Sequence, residues 1–465
     1  MLEKQLPLNE LTAVGPLDGR YRERVSPLAS YLSEYGLIKT RFEVEARYLI
    51  ALSDAKVARR LSKQERQKLN GLGDEIDLTQ ATKVKKIEDE TRHDVKAMER
   101  AFREMVSGTS LEDLTEMIHF GLTSEDVNNL AYRLMLKRAT DTVMIPVLDE
   151  VVDQLTGRAE EYKSTPMLAR THGQSAVPTT VGKEFSVFAS RLNRQVRMME
   201  KHQLRGKLTG AVGNMNALYL ARPNVDWIKF SQGFVSSLGL EPNMATTQID
   251  PYEDVIELLQ NYQRINGVIV DFDQDMWRYI SDFWIAQVKR PGEVGSSTMP
   301  QKVNPIDFEN SEGNLQTANS LIDGLVRKLA ISRLQRDLSD STSIRNFGAV
   351  LGHSLVGYKS TITGLERTKV NEVQISNDLN RDWTILSEGV QTILRDRGVE
   401  DPYSLVAGLS RGEHVTREGW KEWVDNLPVT EEDKVIFRNL TPENYIGLAR
   451  ELTELAIKEI RESRK

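Results

Sequence analysis

The apolar positions of this chain recur with helical spacing over most of its length. The clearest series starts at Val255 and continues through Tyr262, Ile269, Met276 and Phe283 at heptad intervals. A second series, three positions later, holds Leu258, Ile265, Phe272, Tyr279 and Ala286. An apolar repeat sustained this far predicts one long helix with a seam for partner helices. Its expected span is 252–289, with Asp250 as cap, Pro251 at the first helical position and Pro291-Gly292 as terminator. At about 1.5 Å per residue it is on the order of 57 Å long. A rod of that length cannot bury its own seam. Segments 181–207, 306–337 and 343–366 also read as long helices that could cover it. The pattern predicts an all-α fold with a central long-helix bundle, extended by subunit association.

The flanking segments read differently. Residues 1–25 carry Pro7, Gly15, Pro16 and Gly19 and look like an irregular entry. Helical patterns follow to about 106. Ser107-Gly108-Thr109-Ser110 breaks them, with Ser110 as the expected cap of the next helix. Beyond Lys369 the patterns shorten and charge rises. Three domains are expected: an N-terminal helical domain at 1–110, the central bundle at 111–367 and a C-terminal helical domain at 368–465.

Composition narrows the function. The 465 residues are 39% hydrophobic and 28% charged, the balance of a globular protein. A net charge of -7 argues against a general nucleic-acid binder, although a local basic cluster can still hold a small anion. No apolar run approaches the ~18 residues a membrane span needs. The opening MLEKQLPLNE lacks the apolar core of a signal peptide. No nucleic-acid or membrane partner is expected, and the expected location is cytoplasmic. The chain has no cysteine, which excludes disulfides, thiolate nucleophiles and thiolate metal sites. Its six histidines lack ligand spacing, so no metal is expected. Asp271, Asp273 and Asp275 mimic an EF-hand start, but Met276 stands where the loop needs glycine. That triplet is expected on the helix surface. Gly71 and Gly73 lack the third glycine of a dinucleotide fingerprint, and Gly206-Lys207 lacks a P-loop.

Several segments carry candidate chemistry. RPGEVGSSTMPQKVNP at 290–305 joins two long helices and holds Gly292, Gly295, Ser296, Ser297, Thr298, Lys302 and Asn304. Glycines, hydroxyls, an amide and an ammonium suit a carboxylate cradle; a surface linker is the plain alternative. In Thr171-His172-Gly173-Gln174, between two helical segments, His172 could move protons near neutral pH or be structural. In His119-Phe120-Gly121-Leu122-Thr123-Ser124-Glu125-Asp126, Thr123 and Ser124 could hold an anion or simply cap a helix. Arg92-His93-Asp94 reads as helix surface, because adjacent residues point apart. In RLQRDLSDSTSIR at 333–345, Arg333, Arg336 and Arg345 with Ser339, Ser341 and Thr342 could grip a phosphate or form a solvated helix face. Arg20-Tyr21 in the entry segment is a weaker candidate.

Together and in this order, these segments resemble the adenylosuccinate lyase family, in the longer bacterial branch of the fumarase/aspartase superfamily. GEVGSSTMPQKVNP resembles the superfamily signature. LDGRY, TRHDVKAME, IHFGLTSEDVNNL, ARTHGQ, GKLTGAVGN, TTQIDP, NPIDFENSEGN and SRLQRDLSDSTSIRN carry the narrower likeness, from about Leu11 to beyond Asn444. Gln301 departs from the signature, where many relatives carry His or another residue.

The resemblance implies β-elimination of fumarate from adenylosuccinate, giving AMP, and from the succinyl-carboxamide ribotide of purine synthesis, with no cofactor. It implies Ser296 as base and His172 as acid. Thr123, Ser124, Thr171, Gln248, Ser297, Lys302 and Asn304 match positions that hold succinyl carboxylates or orient the substrate. Arg20, Tyr21, Arg336, Ser341 and Arg345 match positions around the nucleotide, with Thr342, Ser343 and Ile344 in the same run. Arg92, His93, Asp94, His119 and Asn310 complete the expected site. The family solution is a three-domain chain in a homotetramer whose sites each draw on three chains. The rival readings are another superfamily lyase, such as fumarase, aspartase or argininosuccinate lyase, and a non-catalytic helical scaffold.

Overall fold

The computed structural model describes residues 6–288, 292, 298–299, 301–409 and 414–465. They form two compact units, one drawn from Met1–Val147, Met198–Asn266 and Asn314–Gly357, the other from Leu148–Arg197, Gly267–Gly313 and Tyr358–Lys465.

The first unit opens with α1 (Arg22–Leu32) and α2 (Glu34–Asp54). The Ser33 hydroxyl caps α2 by accepting the Gly36 N–H at 3.1 Å. In α3 (Lys63–Glu75) Ser62 and Glu65 form a reciprocal capping box. Then come α4 (Leu78–Thr91), α5 (Asp94–Val106) and α6 (Ser124–Ala139). α2 is the spine of this region and packs on α1, α3 and α6. Its Phe42, Val44, Tyr48, Leu49 and Leu52 are buried. Ser110 does not start an α-helix: a 3-10 turn at Glu112–Met117 follows, and Thr123 stands at the cap of α6. A π-turn at Thr140–Met144 joins α6 to α7 (Ile145–Glu161).

Where helices alone were expected, the chain makes a hairpin of β1 (Pro166–Thr171) and β2 (Gln174–Thr180). α8 (Val181–Glu200) ends short of 207. β3 (Arg205–Gly206) pairs in parallel with β4 (Glu241–Pro242), across α9 (Asn216–Ala221) and α10 (Trp227–Ser237).

The heptad helix is α11 (Glu253–Ser281), of 29 residues. Val255, Leu258, Tyr262, Ile265, Ile269, Phe272 and Met276 are all buried, as their spacing predicts. Both expected ends move. Asp250 is not a cap: it accepts the Asn243 amide at 2.7 Å and lies 3.2 Å from the buried Arg133. At the other end Phe283 takes φ 60 and is exposed. Ile285–Gln287 then forms β5, paired with β6 (Thr368–Val370). Strand partners this distant in sequence leave no local periodicity to read. α12 (Ile306–Leu329) also stops early, and α13 (Ser339–Ile344) precedes α14 (Phe347–Glu366).

The second unit closes with α15 (Glu372–Leu379), α16 (Ser387–Asp396), α17 (Pro402–Ala407), α18 (Arg417–Asp425), α19 (Glu431–Asn439) and α20 (Ala449–Ser463). α15 packs on β1 and α20 on β2. Asp273 corrects another expectation, because it is buried rather than on the helix surface. Thr361 donates to its carboxylate at 3.1 Å. Burial pushes the carboxyl well above the usual range, against the hydrogen bonds from Ser311 and Thr361.

Candidate functional site

In the first unit three segments build a polar cluster. The first is the junction of α4 and α5. Arg92 takes a left-handed φ of 53 and ends α4. His93 caps α5, its Nδ1 accepting the Lys96 N–H at 3.2 Å. Both are exposed. Asp94 turns inward, against the reading of the triplet as helix surface. Arg41 donates to it at 2.6 Å, and Arg345 lies 3.7 Å away. Burial raises the Asp94 carboxyl, but the charge and hydrogen bond of the buried Arg41 outweigh that and hold it below its ordinary range. Arg41 also donates to Asn128 of α6 at 2.9 Å, and Arg345 to Glu34 of α2 at 3.0 Å.

The second segment is the turn into α6. His119 has φ 60 and Gly121 φ 70. A Cβ on Gly121 would sit 2.3 Å from Leu218 Cδ2, so this position needs glycine for space as well as conformation. Glu45 of α2 holds His119 twice: one oxygen accepts its backbone N–H at 3.1 Å, the other meets Nδ1 at 2.5 Å. Beyond the turn, the Asp126 carboxylate accepts the N–H groups of Thr123 at 3.0 Å and of Thr209 and Gly210 at 3.1 Å. Lys207 Nζ lies 3.1 Å from it, and both side chains are fully buried. Lys207 therefore answers the buried carboxylate that fixes the backbone at Thr123.

The third segment is 333–345 with Gln248. Arg336 donates to Gln248 Oε1 at 3.2 Å and pairs with Glu125 at 3.1 Å. Gln248 donates onward to Ala211 O at 2.9 Å. Burial pushes the Glu125 carboxyl up to about 7, against the pull of the Arg336, Arg133 and Lys207 charges. Tyr252 donates to Asp340 at 3.0 Å, which anchors α13 and so places Ser341, Thr342, Ser343, Ile344 and Arg345. The stretch is a loop with one short helix rather than a long solvated face. Arg20 and Tyr21 directly precede α1; Arg20 is exposed.

The second unit carries the rest. His172 and Gly173 form the two-residue turn of the hairpin, with φ 53 and 74, between the paired Thr171 and Gln174. Two positive φ values mark the turn type that matches strand twist. His172 is thus displayed at an exposed tip. Arg170 lies 5.2 Å over the ring of buried Trp284, whose Nε1 donates to Asp378 at 2.6 Å, and this stiffens the hairpin. Lys302 is exposed, with its N–H on Met299 O at 3.0 Å. Gln287 donates to Val303 O at 2.8 Å, beside half-buried Asn304. Asn310 donates to Ser360 at 2.7 Å. Ser296 and Ser297 lie outside the described residues.

Reading the segments one at a time missed Glu45, Arg41 and Glu125 as partners. Glu45 had a signal: it is a carboxylate within the mostly apolar run Phe42–Leu52, where an unpaired charge would be costly.

A family model described as lyase matches residues 19–319, and one described as adenylosuccinate lyase C-terminal matches residues 332–446. The adenylosuccinate lyase of Haemophilus influenzae is 46% identical over 453 residues, covering 97% of this chain and 99% of its own. This chain belongs to the adenylosuccinate lyase family. The Escherichia coli K12 member of the family is 44% identical over 448 residues, with 96% and 98% coverage. The family likeness extends to Dictyostelium discoideum, whose adenylosuccinate lyase is 43% identical over 95% of this chain and 98% of its own. Among solved structures, two share the fold at a TM-score of 0.75. They are the 3-carboxy-cis,cis-muconate lactonizing enzyme of Pseudomonas putida and a fumarate lyase of Mesorhizobium. Their identities are 17% and 15%; they cover 95% and 93% of this chain, and 98% and 97% of their own. The all-α architecture of the adenylosuccinate lyase family is thus one that more distant proteins share.

Proposed function

We propose that this chain cleaves adenylosuccinate to AMP and fumarate, and the succinyl-aminoimidazole-carboxamide ribotide to its carboxamide and fumarate. The observation that carries this reading is a near full-length match to adenylosuccinate lyases joined to one local arrangement. Arg336, Gln248 and Glu125 are bonded together beside Ser124. Arg336, a guanidinium of the kind that holds anions, is thus paired with the residue that follows Ser124, which supports the reading.

The chemistry is a β-elimination. Ser296 removes a proton from the carbon beside a carboxylate, and the electron pair moves into that carboxylate as an aci-acid. The C–N bond then breaks, and His172 protonates the departing nitrogen. One proton leaves carbon, one reaches nitrogen, and no redox change occurs. A serine hydroxyl is a weak base unless its alkoxide is stabilised, which is the role of Lys302 and the backbone of its loop. Thr123, Ser124, Thr171, Gln248, Ser297 and Asn304 hold or orient the succinyl group. Arg20, Tyr21, Arg336, Ser341 and Arg345 surround the nucleotide.

The assembly in this reading is a cytoplasmic homotetramer of three-domain chains, divided near 110 and 367, with each site drawn from three chains. Among the described residues no helix is long and apolar enough to cross a membrane. Fumarate release from adenylosuccinate, without added metal or cofactor, tests the function. Release that is lost in Ser296→Ala and in His172→Ala supports both roles. A folded wild type that releases none overturns the assignment, and malate, aspartate and argininosuccinate are then the substrates to try. Analytical ultracentrifugation showing active monomers would contradict the shared-site assembly.

A further inference from the structure

We propose that Glu45 is a positioning residue that locks the backbone and ring of His119 and so presents its Nε2 edge to an anionic group of the substrate. The inference rests on the proposed function for the substrate contact, and on the structure alone for the lock.

The geometry is specific. His119 is a non-glycine residue at φ 60, a sparsely populated backbone conformation that the surrounding structure must hold in place. One buried carboxylate holds it there, through its backbone N–H at 3.1 Å and its Nδ1 at 2.5 Å. The same helix grips the next residue, because the Tyr48 hydroxyl donates to Phe120 O at 2.8 Å. α2 therefore fixes both the backbone and the ring of this turn. With Nδ1–H committed to Glu45, Nε2 is the remaining ring position, and no partner for it is found among the described residues. The ring is 16% exposed while the Glu45 side chain is fully buried. The carboxylate serves the imidazole from below and leaves the open edge for a ligand.

The surrounding charges favour the cationic ring. Burial alone would lower the His119 imidazole, but the hydrogen bond and charge of Glu45 outweigh it, aided by Glu99 and Asp126, and hold it above its ordinary value. Glu99 is engaged by Lys96 and Arg103, and Asp126 by Lys207, so Glu45 is the carboxylate committed to His119. Tyr48, bonded to the next residue, is pushed well above its ordinary value by burial and is neutral. A fixed imidazolium next to Thr123 and Ser124 suits a carboxylate or phosphate of the substrate.

The test uses the full-length protein and the variant Glu45→Gln, which keeps size and loses charge. Hydrogen–deuterium exchange at histidine Cε1, followed by mass spectrometry, reads the midpoint of each imidazole separately. The expected midpoint of His119 lies above the ordinary imidazole value in the wild type and falls in E45Q. KM for adenylosuccinate should rise about tenfold in E45Q with kcat changed far less, since the lost interaction is one of binding. In the wild type KM should rise as pH passes the His119 midpoint, and that inflection should move to lower pH in E45Q. A His119 midpoint unmoved in folded E45Q overturns the lock. A midpoint that falls while KM and its pH profile stay put overturns the substrate contact. A wild type with no turnover refutes the proposed function, while the exchange midpoint still decides the lock. Should E45Q fail to fold, His119→Asn removes the ring alone. It should raise KM equally and abolish the inflection; an unchanged profile overturns the proposal.

Discussion

The turn at 119–126 and the hairpin tip at 172–173 both hold a histidine at positive φ, yet the two are built in opposite ways. His119 is clamped by a buried carboxylate, and Asp126 close by gathers three backbone N–H groups and a buried lysine. His172 stands on a two-residue turn, exposed, with Gly173 beside it also at positive φ. In the proposed mechanism the contrast separates two tasks. Groups that hold a charged ligand gain from a fixed position and a fixed charge. A residue that hands over a proton must be able to exchange it, and an exposed tip on a stiff hairpin allows that.

The sharpest way to break this contrast is to remove His172. His172→Ala should lower kcat roughly 10²–10⁴-fold while the thermal midpoint stays where it was, because the tip is exposed. A large loss of stability would show that the tip is structural.

Asp126→Ala should do the reverse. It leaves Lys207 as an uncompensated buried charge, at a cost of about 3–5 kcal/mol, read as a lower urea midpoint at fixed protein concentration. A variant as stable as the wild type would remove Asp126 from the foundations of the turn.

Glu125 sharpens the comparison through pH. Its carboxyl is raised by burial from 4.5 to about 7, so the folded chain holds that proton more tightly than the unfolded chain. The associated stability is complete below 4.5 and is lost as pH rises toward about 7. Glu125→Gln should flatten that slope, by something on the order of 2–3 kcal/mol, in urea titrations repeated across the interval. An unchanged slope would mean that the Arg336 pair keeps Glu125 ionised throughout.

The smallest effect is expected at the tip itself. Gly173→Ala places a side chain at φ 74 with open space around it, so strain alone should cost about 1 kcal/mol. The shift should appear in the thermal midpoint without the kcat loss of His172→Ala.

Much of this was legible along the chain. The heptad seam from Val255 to Met276 is buried as its spacing requires, because a 3.5-residue repeat places those side chains on one face whatever they meet. The segments around His119, His172 and Arg336 stood out by composition, and their order carried the family. What the order could not convey was pairing. Asp250 looked like a cap and is a partner of Arg133; Asp273 looked like surface and is core. The helix expected to 289 stops at Ser281 because Ile285–Gln287 finds a strand partner at Thr368–Val370.

Local spacing thus determined where the long helices run and which segments carry the family likeness, since periodicity and turn chemistry act within a few residues. Tertiary structure decided which charges meet. Arg41 reaches Asp94, Glu45 reaches His119 and Glu125 reaches Arg336 across long stretches of chain. A buried charge is stable only beside a partner that folding brings to it, and no local rule names that partner in advance.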